Sequence, residues 1–293
     1  MTGKKPEAGS TYHDWYVYGA GLLTASGVED AANDARLLLE YAAQIDHSYY
    51  YLHMHEPMQA EASEVYADLL LHRAEREPLQ YLTGEAPFCG LLFHVTPAVL
   101  IPRQDTEILV EEAAKRLRPG MRLLDLCTGS GCVLLSLMNR IEVNGTGSDL
   151  SAEALAVAEE NAGKLHTAAS WIQSDLFSRI PGRFDMIVSN PPYIASDVID
   201  GLQEEVARHE PRLALDGGAD GLDLLERIIQ EAPAHLHGGG WLLTEIGFDQ
   251  GDAVREYMLA CGYEETEVIK DLEQRDRVVA GRRPDTCTSH SKN

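Results

Sequence analysis

The sequence lacks the features that mark several large classes of protein. No apolar run approaches the roughly 18 residues of a membrane span, and the polar stretch from Met1 to Ser10 has no apolar signal core. The five cysteines form no Cys-x-x-Cys pair and no His/Cys cluster with zinc spacing. We therefore expect a cytoplasmic protein with reduced thiols, no membrane association and no metal site.

Basic residues are also scarce. The 293 residues include 24 Lys and Arg against 47 Asp and Glu, which gives a net charge of −23. Binding to a nucleic-acid backbone depends on Lys and Arg that neutralise phosphates. The charge therefore argues against direct nucleic-acid binding by the chain as a whole and leaves room only for a local basic patch.

The usual nucleotide-binding patterns are missing too. The pattern Gly-x-Gly-x-x-Gly is incomplete, since only Gly129 and Gly131 are present, and no Walker A lysine follows them. What is present is a strand-like segment, Arg122–Leu126, that runs into a turn and then into a helix. Glycines in such a turn let a ligand approach the backbone, and the helix that follows offers unpaired N–H groups.

Apolar spacing predicts the organisation of the rest. An i, i+3, i+4 pattern predicts four or so short helices from about Asp14 to Arg76. Short apolar pieces, the first of them Gln80–Thr83, are broken by Gly and Pro and predict a hairpin-like linker from Pro78 to Pro102. Beyond it, strand and helix patterns alternate, which predicts an α/β fold with a doubly wound, mainly parallel sheet. Its last two strands, Glu265–Lys270 and Arg277–Ala280, are expected to form an antiparallel hairpin.

These patterns divide the chain into four parts. We predict a helical domain over residues 11–77, a hairpin-containing linker over 78–103, an α/β domain over 104–283, and a disordered tail over 284–293.

Acidic residues follow the second and third predicted strands of the α/β domain. Asp149 lies roughly 20 residues beyond the glycine turn, where a carboxylate can accept hydrogen bonds from ribose hydroxyls. Asp175 ends the next strand and could accept from an exocyclic adenine amine. The simpler alternatives are that Asp149 caps a helix and that Asp175 only forms a turn. The carboxyl ends of parallel strands share one edge, however, so the three loops together predict a cofactor site, with Ser151 as the N-cap of the next helix.

The most informative segment is Asn190-Pro191-Pro192-Tyr193, directly after the apolar run Phe184–Ser189. Two prolines hold the backbone extended, and the Asn190 side-chain oxygen and the proline carbonyls are left as acceptors. Tyr193 adds an aromatic face. Such a corner suits a flat NH2 group, although a rigid strand exit with a chance asparagine is the simpler alternative.

Taken together, these segments resemble class I S-adenosylmethionine-dependent methyltransferases. Within that superfamily the chain is similar to the HemK/PrmC family, the protein-(glutamine-N5) methyltransferases that act on peptide chain release factors. The similarity extends from about Pro78 to Gly281 and rests on the segments Gln80–Phe88, Leu100–Arg103, Asp125–Gly131, Asn190–Tyr193, Glu210–Gly218, Asp220–Leu222, Glu245–Gly247, Asp271–Leu272 and Arg275–Arg277.

The chain departs from the family pattern in two places. Cys127 stands where the first glycine of the cofactor loop is common, and we interpret it as a small packing residue and not as a nucleophile. Gln104-Asp105 replaces the Pro-Glu that often follows the arginine, and these two residues either contact a ligand or cap a helix predicted over Thr106–Leu117.

The resemblance implies a seven-stranded Rossmann-like methyltransferase sheet, S-adenosylmethionine as cofactor, class 1 release factors as protein substrate, and a monomer whose N-terminal helices bind that substrate. The implied cofactor residues are Asp125, Cys127, Thr128, Gly129, Ser130, Gly131, Asp149, Leu150, Asp175, Leu176 and Asn190. The implied substrate-binding residues are Phe88, Arg103, Asn190, Pro191, Pro192 and Tyr193, of which Asn190, Pro191 and Tyr193 are catalytic.

The chemistry of an amide acceptor suggests how the corner acts. The amide nitrogen is a poor nucleophile, so positioning matters more than a strong base. We expect Asn190 Oδ1 and the Pro191 carbonyl to accept the two N–H groups of a glutamine in a Gly-Gly-Gln loop, with Tyr193 stacked on the amide. Neither a covalent intermediate nor a metal is expected.

Three alternatives remain at this point. A glutamine methyltransferase of a ribosomal protein shares the same motif. A DNA or RNA amino-methyltransferase shares Asn-Pro-Pro-Tyr as well, although the charge of −23 argues against it. The third is a binding module that kept the fold and lost the chemistry.

Overall fold

The computed structural model describes residues 4–7 and 9–285. Most of the predicted disordered tail, residues 286–293, lies outside the described residues. The chain divides into two compact units. One comprises the residues up to Gly84 together with Gln203–His209, and the other comprises Glu85–Leu202 and the residues from Glu210 onward. Within the described ranges, no helix is long and apolar enough to cross a membrane.

The helices are α1 (Tyr12–Ala25), α2 (Ala31–Ala43), α3 (His47–His53), α4 (Ala60–Ala74), α5 (Leu79–Thr83), α6 (Glu107–Arg116), α7 (Cys132–Arg140), α8 (Ala152–Lys164), α9 (Glu204–His209), α10 (Asp223–His235) and α11 (Gly251–Ala260). The strands are β1 (Glu85–Phe88), β2 (Leu91–His94), β3 (Arg122–Leu126), β4 (Asn144–Asp149), β5 (Ser170–Gln173), β6 (Phe184–Ser189), β7 (Leu236–Glu245), β8 (Glu264–Lys270) and β9 (Asp276–Arg282).

The first unit is a helical bundle, and α1–α4 confirm the four helices expected from apolar spacing. Its core includes Trp15, Leu38 and Tyr66, all buried. Gly19 in α1 allows close packing, because a Cβ there would lie only 2.1 Å from the Tyr66 hydroxyl oxygen. One prediction was wrong: the segment from Gln80 to Thr83, read as an apolar piece of the linker, is helical and belongs to α5.

A short segment from far along the chain completes this bundle. Gln203–His209, which contains α9, belongs to the first unit although its neighbours in sequence belong to the second. Glu205 accepts hydrogen bonds from Arg73 Nη2 at 2.9 Å and from Arg76 Nη2 at 2.6 Å. Arg73 also pairs with the buried Asp34 at 2.7 Å. Largely buried ion pairs of this kind hold α9 in place.

The second unit contains the seven-stranded sheet that the resemblance implied. Its order is β5-β4-β3-β6-β7-β9-β8, parallel from β5 to β7 and antiparallel for the two pairs that involve β9. This confirms the doubly wound α/β fold, and the predicted hairpin is the pair of β8 and β9. Strands β1 and β2 form a separate antiparallel pair, as the linker pattern predicted.

Helices cover both faces of the sheet. Adjacent residues of β3 show this, because Leu123 packs with α6 and α7 in one apolar cluster and Leu124 packs with α10 and α11 in the other. Strand β7 includes three glycines before Trp241, and its register beside β6 is irregular between Phe184 and Met186. Beyond β3 the chain continues to β4 on one side and later to β6 on the other. This reversal opens a crevice at the carboxyl ends of β3 and β6.

Candidate active site

A cavity of about 280 Å³ lies at that crevice. Of the predicted cofactor residues, all but Gly131 line it: Asp125, Cys127, Thr128, Gly129, Ser130, Asp149, Leu150, Asp175, Leu176 and Asn190. Of the predicted substrate-binding residues, Arg103, Asn190 and Pro192 line it, and Phe88, Pro191 and Tyr193 do not. The structure therefore brings the glycine turn and the Asn-Pro-Pro-Tyr corner to one cavity.

The two glycines of the turn have different roles. Both have left-handed backbones, with φ of +54° at Gly129 and +78° at Gly131. A Cβ on Gly129 would meet nothing within 4 Å, so its backbone faces open space that a ligand can enter. A Cβ on Gly131 would lie 3.1 Å from Trp171 and 3.2 Å from Ala158, so this glycine is required for close packing of the turn.

Cys127 also has a left-handed backbone, with φ of +57°. This conformation costs a residue with a side chain about 1–2 kcal/mol, which accounts for the glycine common at this position of the pattern. Burial raises the pKa of the Cys127 thiol. The side chain packs against the apolar cluster on the α10 face. A partly buried thiol with a raised pKa is suited to packing and not to nucleophilic attack.

Asp149 ties the turn to the next helix. Its Oδ2 accepts from the Gly129 N–H and its Oδ1 from the Ser151 N–H, each at 2.9 Å. Ser151 accepts from the Ala154 N–H at 3.1 Å, which confirms it as the N-cap of α8. Burial raises the pKa of Asp149 against these hydrogen bonds. Each carboxylate oxygen keeps acceptor capacity for a hydroxyl donor from the cavity.

Two further carboxylates face the same cavity. Asp125 is buried and accepts from the Thr128 hydroxyl at 2.6 Å. Burial raises the pKa of Asp125 to about 7, and the charge of Asp149 adds to the rise. Asp175 is half-exposed and accepts from Arg227 Nη2 at 3.0 Å. The wall therefore carries three acidic groups at the ends of successive strands, which suits a ligand with ammonium, hydroxyl and amine donors.

The two ends of the Asn-Pro-Pro-Tyr corner have different surroundings. Asn190 lines the cavity, and its Nδ2 donates to Thr106 Oγ1 at 3.1 Å, which leaves Oδ1 available for an incoming N–H. Tyr193 instead donates its hydroxyl to Glu245 Oε1 at 2.9 Å, and its ring packs against the apolar cluster on the α10 face. Stacking of Tyr193 on a substrate amide stays a prediction, while the structure shows a tie from this tyrosine to the sheet.

Of the two predicted substrate-binding residues outside the corner, Phe88 and Arg103, only Arg103 lines the cavity. Phe88 is only 2% exposed and packs edge-to-face on Phe93, with ring centroids 6.1 Å apart, so it lies in the core and not at the cavity wall. Arg103 does line the cavity and forms an ion pair with the buried Glu210. Glu210 also accepts from the Ile101 N–H at 3.2 Å. This pairing joins two segments of the family resemblance.

The open question about Gln104-Asp105 has a structural answer. These residues form a 3₁₀ turn with Thr106 directly before α6, and neither lines the cavity. Asp105 pairs with Arg277 Nη2 at 2.9 Å. The loop therefore anchors to β9, and the helix predicted from Thr106 begins at Glu107.

Sequence reasoning missed two residues that hold the corner: Thr106, which also lines the cavity, and Glu245, which does not. Thr106 and Glu245 contact its two ends, and both are almost fully buried. Gly217 lies so close that a Cβ would come within 2.8 Å of the Pro192 carbonyl oxygen and of Tyr193 Cα. Glu245 and Gly217 fall in segments that carry the family resemblance, which was the available signal. Nothing in the sequence pointed to Thr106.

Parts of the chain match two known protein families. A family model described as the PrmC N-terminal domain matches residues 14–84, and one described as the methyltransferase small domain matches residues 103–218. A release factor glutamine methyltransferase of Geobacter sulfurreducens is 40% identical over 264 residues, covering 89% of this chain and 93% of that protein. A protein of the same name from Cereibacter sphaeroides is 44% identical over 265 residues, covering 89% and 95%.

Solved structures are similar at the level of the fold. A methyltransferase from Pyrococcus furiosus matches with a TM-score of 0.52 at 18% identity, covering 67% of this chain and 90% of that chain. At this identity the likeness supports the methyltransferase fold and nothing more specific.

Proposed function

The chain belongs to the release factor glutamine methyltransferase family, and from this we propose that it methylates the side-chain amide of the glutamine in the Gly-Gly-Gln motif of class 1 peptide chain release factors. The observation that carries the proposal is the Asn190 side chain, which faces the cavity with its Nδ2 held by Thr106 and its Oδ1 free to accept. In this proposal the protein acts in the cytoplasm, as a monomer and without direct nucleic-acid binding.

The methyl donor is S-adenosylmethionine, which supplies a methyl group on a positively charged sulfur. The residues that would hold it fit its donors. We propose Asp149 for the ribose hydroxyls, Asp175 for the adenine amine, and Asp125 with the loop Thr128–Ser130 for the amino-acid end, because all of them line the cavity. The open space over Gly129 allows the ligand to lie against the backbone.

The chain's own contribution to the reaction is positioning. Asn190 Oδ1, which faces the cavity, accepts one N–H group of the glutamine amide and directs its nitrogen toward the methyl group. The Pro191 carbonyl is proposed as the acceptor of the second N–H group, although Pro191 is not among the residues that line the cavity. Fixed geometry of this kind can lower the activation barrier by about 7–11 kcal/mol. As positive charge develops on the nitrogen, the same two oxygens stabilise it. The proton can leave after transfer, so no general base is required.

The unit that contains α1–α5 and α9 is proposed to bind the release factor. Its size and position agree with the match to the PrmC N-terminal domain. We propose the substrate-binding domain over residues 11–77, the hairpin linker over 78–103 and the methyltransferase domain over 104–283. The compact unit extends the first of these to Gly84 and adds Gln203–His209.

One experiment tests the reaction and the acceptor together. The protein is incubated with methyl-labelled S-adenosylmethionine and a recombinant release factor, and the label is located by peptide mass spectrometry. We expect it on the glutamine of Gly-Gly-Gln, and expect none in a release factor with that glutamine replaced by glutamate. A ribosomal protein fraction and nucleic acid are offered in parallel. Label in either of these, with none in the release factor, would overturn the proposal.

Asn190→Ala tests the mechanism. It should lower kcat by about 100-fold or more, because the acceptor that positions the amide is lost. Affinity for S-adenosylmethionine, measured by calorimetry, should stay within a few-fold. The matched control is Asn144→Ala at the opposite, amino end of β4, which should retain activity. Near-normal turnover by Asn190→Ala would show that the amide is held by other groups.

A further inference from the structure

A buried carboxylate that is not among the residues lining the cavity holds one end of the Asn-Pro-Pro-Tyr corner. Glu245, at the end of β7, is 1% exposed, and one of its oxygens accepts from the Tyr193 hydroxyl at 2.9 Å. Its other oxygen, Oε2, has no hydrogen-bond partner within the part of the chain that the structure describes. A buried acceptor left without a donor is costly, so a donor next to it is strongly drawn to it.

Two neighbouring groups carry a donor for it. One is the Arg277 Nε–H, which has no partner among the described residues, and the other is the Thr106 hydroxyl, which acts on the pKa of Glu245 more strongly than Arg277 does. Burial raises the pKa of Glu245 to about 7, and the Thr106 hydroxyl opposes that rise more strongly than the Tyr193 hydroxyl does. Thr106 is itself only 2% exposed, and its Oγ1 already accepts from Asn190 Nδ2 at 3.1 Å. A threonine hydroxyl has a single proton to donate and can accept at the same time.

The direction of these hydrogen bonds decides the orientation of Asn190. If the Thr106 proton goes to Glu245, Oγ1 can only accept from Asn190, so Nδ2 must face Thr106. The amide oxygen Oδ1 is then the atom left for the cavity. If Thr106 were free to donate to Asn190, the amide could turn over and present Nδ2 to the cavity. An NH2 group there would repel the donor groups of an acceptor amide.

We propose that Thr106 and Glu245 are positioning residues that fix the orientation of the Asn190 amide and so keep its oxygen toward the substrate. The same carboxylate holds the far end of the corner through Tyr193, so one buried group aligns both ends. This inference rests on the proposed function for its kinetic consequence. The orientation of Asn190 is a property of the protein without substrate and can be measured independently.

The kinetic test uses valine and serine at Thr106. Thr106→Val keeps the shape and removes the hydroxyl, and it should lower kcat by about 10- to 100-fold, with smaller changes in KM for the release factor and in the affinity for S-adenosylmethionine. Thr106→Ser, which restores the hydroxyl, should recover most of the lost rate. Assays are run at about pH 8, where a group with a pKa of about 7 is mainly ionised.

The matched control is Thr244→Val. Thr244 is the neighbour of Glu245 on β7, is fully buried, and its hydroxyl has no partner among the described residues. The substitution is chemically the same and lies one residue from the carboxylate, but it interrupts no hydrogen bond to the corner. Thr244→Val should therefore keep wild-type kcat. A similar loss of kcat in both valine variants would show that core packing, and not orientation of Asn190, causes the effect.

The structural test is the side-chain amide signal of Asn190 in nuclear magnetic resonance spectra, assigned by its disappearance in Asn190→Ala. In the wild-type protein its protons should show a through-space contact to the Thr106 methyl group and slow exchange with water. Thr106→Val should speed that exchange, and Thr244→Val should not. Fast exchange in the wild-type protein would overturn the inference even if Thr106→Val did not fold. An unchanged signal in Thr106→Val, with kcat reduced, would mean that Thr106 acts on the substrate directly.

The two proposals fail in different ways. If the wild-type protein does not methylate a release factor, the proposed function is wrong, while the amide signal still decides whether Thr106 orients Asn190. If methylation occurs and Thr106→Val keeps wild-type kcat, the inference is wrong and the function stands.

Discussion

Gly217→Ala tests whether the backbone position of the Asn-Pro-Pro-Tyr corner sets the rate. A Cβ on Gly217 would lie 2.8 Å from three backbone atoms, the carbonyl oxygens of Pro192 and Gly221 and the Cα of Tyr193. The φ of Gly217 lies outside the left-handed region, so alanine is compatible with the local backbone. The effect of the substitution is therefore collision and not backbone strain.

The size of the effect follows from that distance. Relaxing the contacts from 2.8 Å to a tolerable separation requires a shift of about 0.6 Å or more. All three atoms belong to the backbone, so no side-chain rotation can absorb it. A misplacement of about 1 Å can cost a factor of about 100 in rate, and we expect kcat to fall by about tenfold or more. Overpacking should also lower stability by about 1–3 kcal/mol.

The assay is steady-state methylation of a release factor, with calorimetry of S-adenosylmethionine binding. Gly217 is not among the residues that line the cavity, so cofactor affinity should change less than about threefold. Gly163→Ala in α8 is the matched control, because a Cβ there would meet nothing within 4 Å. That variant should keep its activity and gain up to about 1 kcal/mol of stability. Wild-type kcat in Gly217→Ala would refute the claim that the corner's backbone position limits the reaction.

Two further predictions concern carboxylates. Asp149→Ala should weaken S-adenosylmethionine binding by about tenfold or more in calorimetry, because it removes the acceptor at the end of β4 and the tie to Gly129; unchanged affinity would place the ribose contact elsewhere. Burial alone would raise the pKa of Glu205, but hydrogen bonds from Arg76 and Arg73 lower it from 4.5 to about 2. A lowered pKa means that the ionised form of Glu205 stabilises the fold. This stabilisation is fully present above about pH 4.5 and is lost as the pH falls toward 2. Glu205→Gln should therefore speed hydrogen exchange in α2 and α4 at neutral pH, because the free energy of opening falls by about 1–3 kcal/mol. The difference from wild type should shrink in acid, and an equal difference at neutral and acidic pH would contradict the role of the Glu205 charge.

The sequence predicted the fold well because its signals are local. Strand β3 matches its predicted bounds, since an apolar run that ends at a glycine turn is visible residue by residue. The α5 helix was missed because its five residues, Leu79–Thr83, are too few to show a helical period. The membership of α9 in the first unit was missed for another reason. It depends on Glu205 meeting Arg73 and Arg76, which are more than a hundred residues away in the chain.

The sequence by itself determined the chemistry of this protein. Asn190 and the two prolines supply acceptors for an NH2 group, and Asp149 and Gly129 mark a cofactor turn, because these properties belong to residue types in a fixed order. Only the tertiary structure decided how each side chain is used. In the folded chain Tyr193 and Phe88 pack toward the core, Thr106 contacts Asn190, and Glu245 contacts Tyr193. Such contacts arise when segments far apart in sequence pack together, and no local pattern records the direction in which a side chain will then point.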